Sequence, residues 1–550
     1  MSEGSKRRLS QGVGLVLLVL GTAILIYEPL RMRALWPSVV ALALVFLTRR
    51  AMLGLLVGAV VGALLLAGGN PVGAVTSLGR DHLAPHFESE WKLAAIAFTL
   101  ILGGFAGVIE RGGGLEGLVN GALRRARDPA RGLQGGVMGL GLVCFFDGLA
   151  NSLLVGRLSR QFAARCGVSR VKIAYLTDST SSAVACVAFV STWIAYQLSM
   201  IREGFGQIGQ EVNPYLYFVR SIPYNTYCWL TLLLLGLMIW RRYHPGPMAE
   251  YERAARQEAS QKVPDAGAEQ NEKGSVALWR ALVPLAVLLL TLLFGFYVFG
   301  LRWDAEPGAD RPSFFPVTAE KIATAFGSNA GPFVMCFAGI VATLLALALF
   351  PYGQGRGNGV LAFLSGVKNM LGPVCILIAA WMLGSTLSAL GAGDLVSRLA
   401  SEHVPVFLLP LLIFICGALI SFSTGTSWGT MGILMPMAIP MVAGYTGLDA
   451  GTQEVMYAAV IGAVFSGAVF GDHCSPISDT TIVSSIACGV EPADHVRTQM
   501  PYALLAAAVS AVAGFLSAGL GLPGWAGLAS GAVLLSAFVI WRTRGKVLSD

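Results

Sequence analysis

Gly471-Asp472-His473-Cys474-Ser475-Pro476-Ile477-Ser478-Asp479-Thr480-Thr481 sets two carboxylates, an imidazole, a thiol and a run of hydroxyls into an otherwise hydrophobic stretch. An ionisable side chain at the centre of a bilayer costs roughly 2.5 to 3.5 kcal/mol, so such groups face a partner, a cavity or an ion pathway. Pro476 also removes a backbone donor and interrupts any helix at this point. The run therefore reads as the middle of a broken membrane span.

Three further polar clusters interrupt apolar segments: Asp147 with Asn151 and Ser152; Thr177 to Ser182, holding Asp178, Ser179 and Thr180; and Ser421 to Thr430, holding Ser423, Thr424, Thr426 and Ser427. The run at 471–481 adds His473, Ser475, Ser478, Thr480 and Thr481 to its two acids. A hard cation such as Na+ needs several oxygens at once, and unwound carbonyls, hydroxyls and a carboxylate supply them where a helix breaks. Gly425, Gly429, Gly471 and Pro476 are the expected breakers. Burial favours a protonated carboxyl and a bound cation favours an ionised one, so one carboxylate can hold either H+ or Na+.

The four acids Asp147, Asp178, Asp472 and Asp479 would together cost roughly 10 kcal/mol if uncompensated, comparable with the stability of a whole domain. They are the candidate cation and proton ligands, with Lys172 or Arg165 as the alternative, structural partner for one of them. A lone Ser388 or Thr343 is instead expected to be interhelical glue, at about 0.6 kcal/mol each. His473 reads as the only histidine well inside an apolar segment, and is either a proton relay or a hydrogen-bond donor that holds Asp472. Trp193 and Trp428 flank the clusters and are candidates to line a path, with Asn225 and Tyr224 behind them.

The rest of the chain has the composition of a polytopic membrane protein. Of 550 residues 55% are hydrophobic and 13% charged, with a mean hydropathy of +0.67, which leaves no room for a large soluble domain. About twelve apolar stretches are long enough to cross a bilayer, beside two shorter, broken ones. The net charge of +7 sits at the ends of the apolar segments, where cytoplasmic loops collect Lys and Arg, and so is no nucleic-acid footprint. The nine cysteines contain no CxxC pair and read as packing residues. No GxxxxGK[ST] loop appears, which excludes an ATP-driven pump of that kind and leaves ion-driven transport without catalytic residues or a cofactor.

Charge sets the topology. With Lys6, Arg7 and Arg8 inside, retained spans near 12–29, 34–48, 51–69 and 92–110 lead to the arginine-rich loop before 132. A simple span at 132–156 would carry Arg157, Arg160, Arg165, Arg170 and Lys172 outside, so a re-entrant hairpin is expected there. Spans near 173–200 and 224–240 end at Arg241 and Arg242. After a linker come spans near 276–300, 330–350 and 360–390, with Asp304, Glu306 and Asp310 outside. A second hairpin at 404–446, a broken span at 455–490, and spans near 501–520 and 523–541 complete the chain, and both termini are cytoplasmic.

Span, hairpin, broken span and span thus occur twice in opposite orientation, the arrangement of inverted-repeat transporters. Phe146-Asp147-Gly148 parallels Ser423-Thr424-Gly425, and Thr177-Asp178-Ser179-Thr180 parallels Ser478-Asp479-Thr480-Thr481. The expected divisions are peripheral spans at 1–50, a first repeat at 51–240, a cytoplasmic linker at 241–275, an extra span and external loop at 276–329, a second repeat at 330–520 and a last span and tail at 521–550.

The run 471–481, with Ser423-Thr424-Gly425-Thr426-Ser427-Trp428-Gly429-Thr430 upstream, resembles the NhaC-type family of Na+/H+ antiporters within the larger ion-transporter superfamily. The resemblance covers roughly residues 90–520. It implies an inner-membrane protein with a scaffold part and a mobile transport part carrying both hairpins, a homodimer and an elevator-like movement. Similar proteins also exchange malate for lactate with Na+ and protons, so a small organic anion or an amine is the alternative cargo. No Arg within the clusters offers a carboxylate clamp, which favours Na+ for H+, with Asp178 and Asp479 as the Na+ ligands.

Overall fold

The computed structural model describes residues 15–26, 33–48, 50–261, 277–303, 312–318, 321–322, 324–325, 328–352 and 357–544. The ends of the first expected span, Arg49, the linker residues 262–276, the acids Asp304, Glu306 and Asp310, and both charged termini lie outside the described residues. Every regular element among the described residues is helical. Eight helices are long and apolar enough to cross a membrane, or up to eleven if each bent pair counts as one span, against the twelve or so expected.

The chain starts with α1 (Leu15–Leu25), α2 (Trp36–Thr48), α3 (Ala51–Leu66) and α4 (Pro71–Arg80). Next come the long α5 (Glu90–Gly112) and the short α6 (Glu116–Arg125). A helix–turn–helix follows, α7 (Pro129–Val143) and α8 (Gly148–Ala163), and then a pair bent by 47°, α9 (Arg170–Val187) and α10 (Thr192–Gly206). The first half closes with α11 (Pro214–Ser221) and α12 (Thr226–Arg241). Between the halves lie α13 (Met248–Gln261), α14 (Trp279–Gly295) and α15 (Gly331–Ala348).

The second half opens on the long α16 (Gly359–Ala389) and the short α17 (Ala392–His403). Then come a helix–turn–helix, α18 (Leu409–Thr424) and α19 (Ser427–Ala443), and a broken pair, α20 (Ala450–Cys474) and α21 (Asp479–Cys488). It ends with α22 (Pro492–Val509) and α23 (Gly524–Thr543). The order long helix, short helix, hairpin, broken pair, helix therefore occurs twice. Three arms of the hairpins, at 15 to 17 residues, span about 25 Å at 1.5 Å per residue, short of a hydrocarbon core of about 30 Å. The fourth, α18, reaches spanning length once the turn from Val406 is added.

Side-chain caps mark the start of three of the four hairpin arms. Asp128 accepts from Ala130 N ahead of Pro129 in α7, Asp147 accepts from Ala150 N at α8, and Thr426 accepts from Gly429 N at α19. Gly425 ends α18 at φ +68°, a left-handed conformation that suits glycine. Gly471 and Gly429, expected to break helices, lie inside them. Gly471 instead allows a close crossing, because a Cβ there would stand 2.1 Å from the Ser421 Cβ.

The first broken span does not break at its hydroxyl cluster. Thr177 to Ser182 lie within α9, because the Thr180 hydroxyl bonds back to Leu176 O at 2.8 Å and Ser181 to Asp178 O at 2.8 Å, leaving the helical ladder whole. The break falls at 188–191, where Ser191 caps α10 by accepting from Ile194 N. The counterpart of Ser478 and Asp479 is thus Ser191 and Thr192, and the paired reading of Thr177–Thr180 with Ser478–Thr481 is corrected.

Packing separates an outer layer from an inner group. In the outer layer α16 lies against α5 and α3, α15 against α5 and α14, and α2 against α3. Exposed Leu290, Phe294, Leu344 and Val533 give the periphery the apolar face that lipid requires. Inside, α20 packs on α18 and α19, α8 on α9 and α21, and α10 on α19, so each half's hairpin touches the other half's broken pair.

Candidate ion-binding site

Each hairpin turn docks on the break of its own half. In the first, the Asp147 carboxylate accepts from Ala150 N at 2.6 Å and from the Thr192 hydroxyl at 2.8 Å, while Thr192 N donates to Phe146 O at 2.9 Å. In the second, Gly425 lies so near the 475–478 break that a Cβ would stand 2.8 Å from Ile477 O. The Ser427 hydroxyl beside it donates to Asp472 at 3.0 Å.

Asp472 is the hub. One carboxylate oxygen accepts from Ser182 at 3.2 Å and Ser427 at 3.0 Å, the other from Ser478 at 3.0 Å, and Thr481 donates to the Asp472 carbonyl at 2.6 Å. These donors come from α9, α19, the second break and α21, so one side chain ties together both halves. A hydroxyl both donates and accepts, so serines that serve an ionised Asp472 as donors can turn lone pairs toward a cation beside it.

Asp147, Asp472 and Asp479 line one cavity of about 320 Å³, together with Thr192, Trp193, Thr426, Ser427, Trp428, Ser478 and Thr480. Asn369, Pro373 and Ile376 of α16 close it from the outer layer. Asp479, the first residue of α21, is exposed into this space, and its carboxylate makes no hydrogen bond or ion pair to another described residue. Lys and Arg are absent from the described lining.

Asp178 is not in that lining. It is fully buried behind it, where Gln499 Nε2 donates at 2.7 Å, Ser484 donates at 3.3 Å and His495 Nε2 stands 3.4 Å away. The structure therefore does not bring Asp178 and Asp479 to one position. Among the described residues no three His, Cys, Asp or Glu groups come close enough to hold a metal ion by themselves, so any cation shell draws on hydroxyls or backbone as well. Lys172 bonds the Tyr502 hydroxyl at 3.3 Å and Nδ1 of His244 at 3.2 Å, with no ion pair to any of the four acids.

The supporting residues divide. Thr426, Ser427, Ser478 and Thr480 reach the cavity. Asn151 holds α8 to Gly141 O and Thr180 O, at 2.9 and 3.1 Å. Ser423 and Thr424 bond back to Leu419 O and Ile420 O of their own helix. Ser152, Ser179 and Ser475 are fully buried. His473 Nδ1 pairs with the Tyr227 hydroxyl at 3.0 Å rather than with the Asp472 carboxylate, which removes its reading as the donor that holds Asp472. Nor is it alone in the interior, since His82, His86 and His495 are buried as well. Asn225 accepts from Ser466 at 2.7 Å.

Sequence reasoning passed over Thr192, His495, Gln499 and Asn369. His495 and Gln499 stand four residues apart on α22, one helical face, ahead of the position where the apolar run seemed to start. Thr192 follows Ser191 as a capping signal after Val190, and Asn369 is a lone amide in an apolar span.

A helical bundle with several membrane-spanning helices and acids gathered round an internal cavity defines a membrane transporter. Residues 184–520 match the Na+/H+ antiporter family, and the chain belongs to that family. It is 29% identical over 507 residues to an uncharacterised protein of Haemophilus influenzae, covering 92% of this chain and 94% of that protein. It is 36% identical over 164 residues to a Malate-2H(+)/Na(+)-lactate antiporter of Bacillus subtilis, covering 29% of this chain and 33% of that protein. In fold it resembles the Alcanivorax borkumensis YdaH transporter, with a TM-score of 0.51 and 19% identity over 78% of this chain and 86% of that one.

Proposed function

We propose that the chain exchanges Na+ for H+ across the cytoplasmic membrane by alternating access. The observation that carries this reading is the meeting of Asp147, Asp472 and Asp479 around one cavity built from both halves. Na+ binds beside Asp472 and Asp479, with hydroxyls of Ser427, Ser478 and Thr480 completing its shell. Protonation of these carboxyls removes the charge that holds the ion, which makes the two cargoes competitors. Asp178, outside the cavity and beside His495 and Gln499, holds a proton or a structural charge rather than the cation. Asp147 adds charge at the N-terminus of α8.

The halves form inverted repeats with re-entrant hairpins. The hairpins and broken pairs move as one transport body, elevator-like, against a scaffold of α2, α3, α5 and α14 to α16. The protein is a homodimer of the bacterial inner membrane with both termini in the cytoplasm, as the arginine-rich loops suggest. The test is reconstitution: an imposed Na+ gradient drives proton flux in proteoliposomes, and Asp472→Asn abolishes it while helix content is unchanged. An Asp472→Asn variant that still exchanges at the wild-type rate rejects the site.

A second reading, Na+- or H+-coupled carriage of a small organic anion, is favoured by the kinship to the malate/lactate antiporter and by the size of the cavity. A water takes about 30 Å³ of liquid, so about 320 Å³ exceeds what a bare cation needs. The N-termini of α8 and α19 point partial positive charge at such an anion. Na+-dependent uptake of labelled lactate or malate supports this reading, and its absence leaves plain cation exchange.

A further inference from the structure

Remote from the carboxylates, a second cavity of about 690 Å³ lies between the end of α12, the start of α13 and the end of α23. Six arginines line it: Arg131, Arg241, Arg242, Arg253, Arg256 and Arg542. An adjoining cavity of about 480 Å³ shares Arg131, Arg242, His244 and Arg256 with it and adds Arg165. No role for this basin follows from the exchange reaction.

Among the described residues, the acids that face the basin and the adjoining cavity are already engaged. Asp128 accepts from Arg242 at 2.8 Å, stands 3.6 Å from Arg131 and caps α7. Glu252, buried in the wall, accepts the backbone N–H and the hydroxyl of Ser169 at 2.9 and 2.6 Å, and its other oxygen stands 4.0 Å from His244 Nε2. Burial and the cations around His244, Lys172 first among them, push its imidazole down to about 2, so it stays neutral and neither repels nor attracts an anion. Among the described residues the two cavities together set two carboxylates against seven arginines, which leaves a positive hollow of the size that small ligands fill.

We propose that this basin binds a phosphate-bearing anion. Guanidinium forks match phosphate oxygens two at a time, and several of them from different helices suit a group carrying more than one charge. Trp240 and Trp541, 56% and 62% exposed, adjoin Arg241 and Arg542 in the chain, and aromatic side chains of this kind settle at the headgroup level of a bilayer. An anionic phospholipid headgroup reaches the basin from that side, and a soluble phosphate reaches it from the aqueous side. Bound there, the anion bridges Arg253 and Arg256 of α13 to Arg241 of α12 and Arg542 of α23. Through Glu252 and Ser169 it steadies the start of α9, the helix that carries Asp178.

The test uses the purified full-length protein in detergent with three probes: phosphatidylglycerol, zwitterionic phosphatidylcholine and inorganic pyrophosphate. Binding is followed by native mass spectrometry and by thermal shift. Phosphatidylglycerol or pyrophosphate is expected to bind and raise Tm, and Arg253→Gln/Arg542→Gln to weaken that binding about tenfold or more. An Arg80→Gln/Arg398→Gln control, equal in charge but on exposed residues elsewhere, is expected to change nothing. Phosphatidylglycerol alone identifies a headgroup, and pyrophosphate binding identifies a soluble source. Equal retention of phosphatidylcholine, equal weakening in the control, or no binding of either anionic probe overturns the proposal. Should the double variant fail to fold, the exposed Arg542→Gln alone carries the same comparison.

Discussion

Asp147 carries two roles that one substitution pair can separate. Its carboxylate caps α8 through Ala150 N and anchors Thr192, and it also puts charge on the cavity. Asparagine caps nearly as well as aspartate, while alanine loses about 0.5 to 2 kcal/mol. Asp147→Asn is therefore expected to keep the wild-type melting temperature in detergent and to slow exchange, whereas Asp147→Ala lowers both. A stable but fully active Asp147→Asn confines the residue to capping. At this scale the sequence was informative about charge and silent about direction. A carboxylate in hydrocarbon must have a reason, so Asp472, Asp479 and Asp147 stood out. Nothing in the chain told that Asp178 turns toward α22, because its partners His495 and Gln499 lie more than 300 residues away.

The helices were legible from apolar length and from glycine and proline breaks, and the arginines after 156 led to the expectation of a hairpin where the helix–turn–helix α7–α8 stands, its re-entry into the membrane being part of the proposal. What the sequence did not show was where the first pair breaks relative to its hydroxyls. In α9 they bond back to the preceding turn, and the true break at 188–191 is marked only by the Ser191 cap. Glycines likewise served crossings more often than breaks. The outer layer depends on one such crossing, where α16 meets α5: a Cβ on Gly366 would stand 2.1 Å from Gly103 O, a backbone atom that cannot swing aside. Gly366→Val is expected to destabilise the protein by about 1 to 3 kcal/mol or more, read as a lower Tm in detergent. An unchanged Tm contradicts the close approach.

For the molecule as a whole, the proposed elevator-like alternating access requires the inner group to slide against the outer layer. The contact of α19 with α16 crosses that boundary, since a Cβ on Gly432 would stand 3.0 Å from the Ala380 Cβ. The contact of α3 with α2 lies within the outer layer, a Cβ on Gly58 standing 2.9 Å from the Ala41 Cβ. Both spacings suit a disulfide after a small relaxation. In a chain freed of its native cysteines, oxidation of an Ala380→Cys/Gly432→Cys pair is expected to stop exchange, and oxidation of an Ala41→Cys/Gly58→Cys pair to leave it running. Continued flux through the first cross-link excludes a sliding transport body.

Competition between Na+ and H+ for the cavity carboxylates is open to direct measurement as Na+ binding to the purified protein across a range of pH. Affinity is expected to fall as the medium is acidified, approaching tenfold per pH unit where one proton displaces one ion, and Asp472→Asn is expected to abolish binding. A Na+ affinity that does not change with pH, or that survives in Asp472→Asn, contradicts the account.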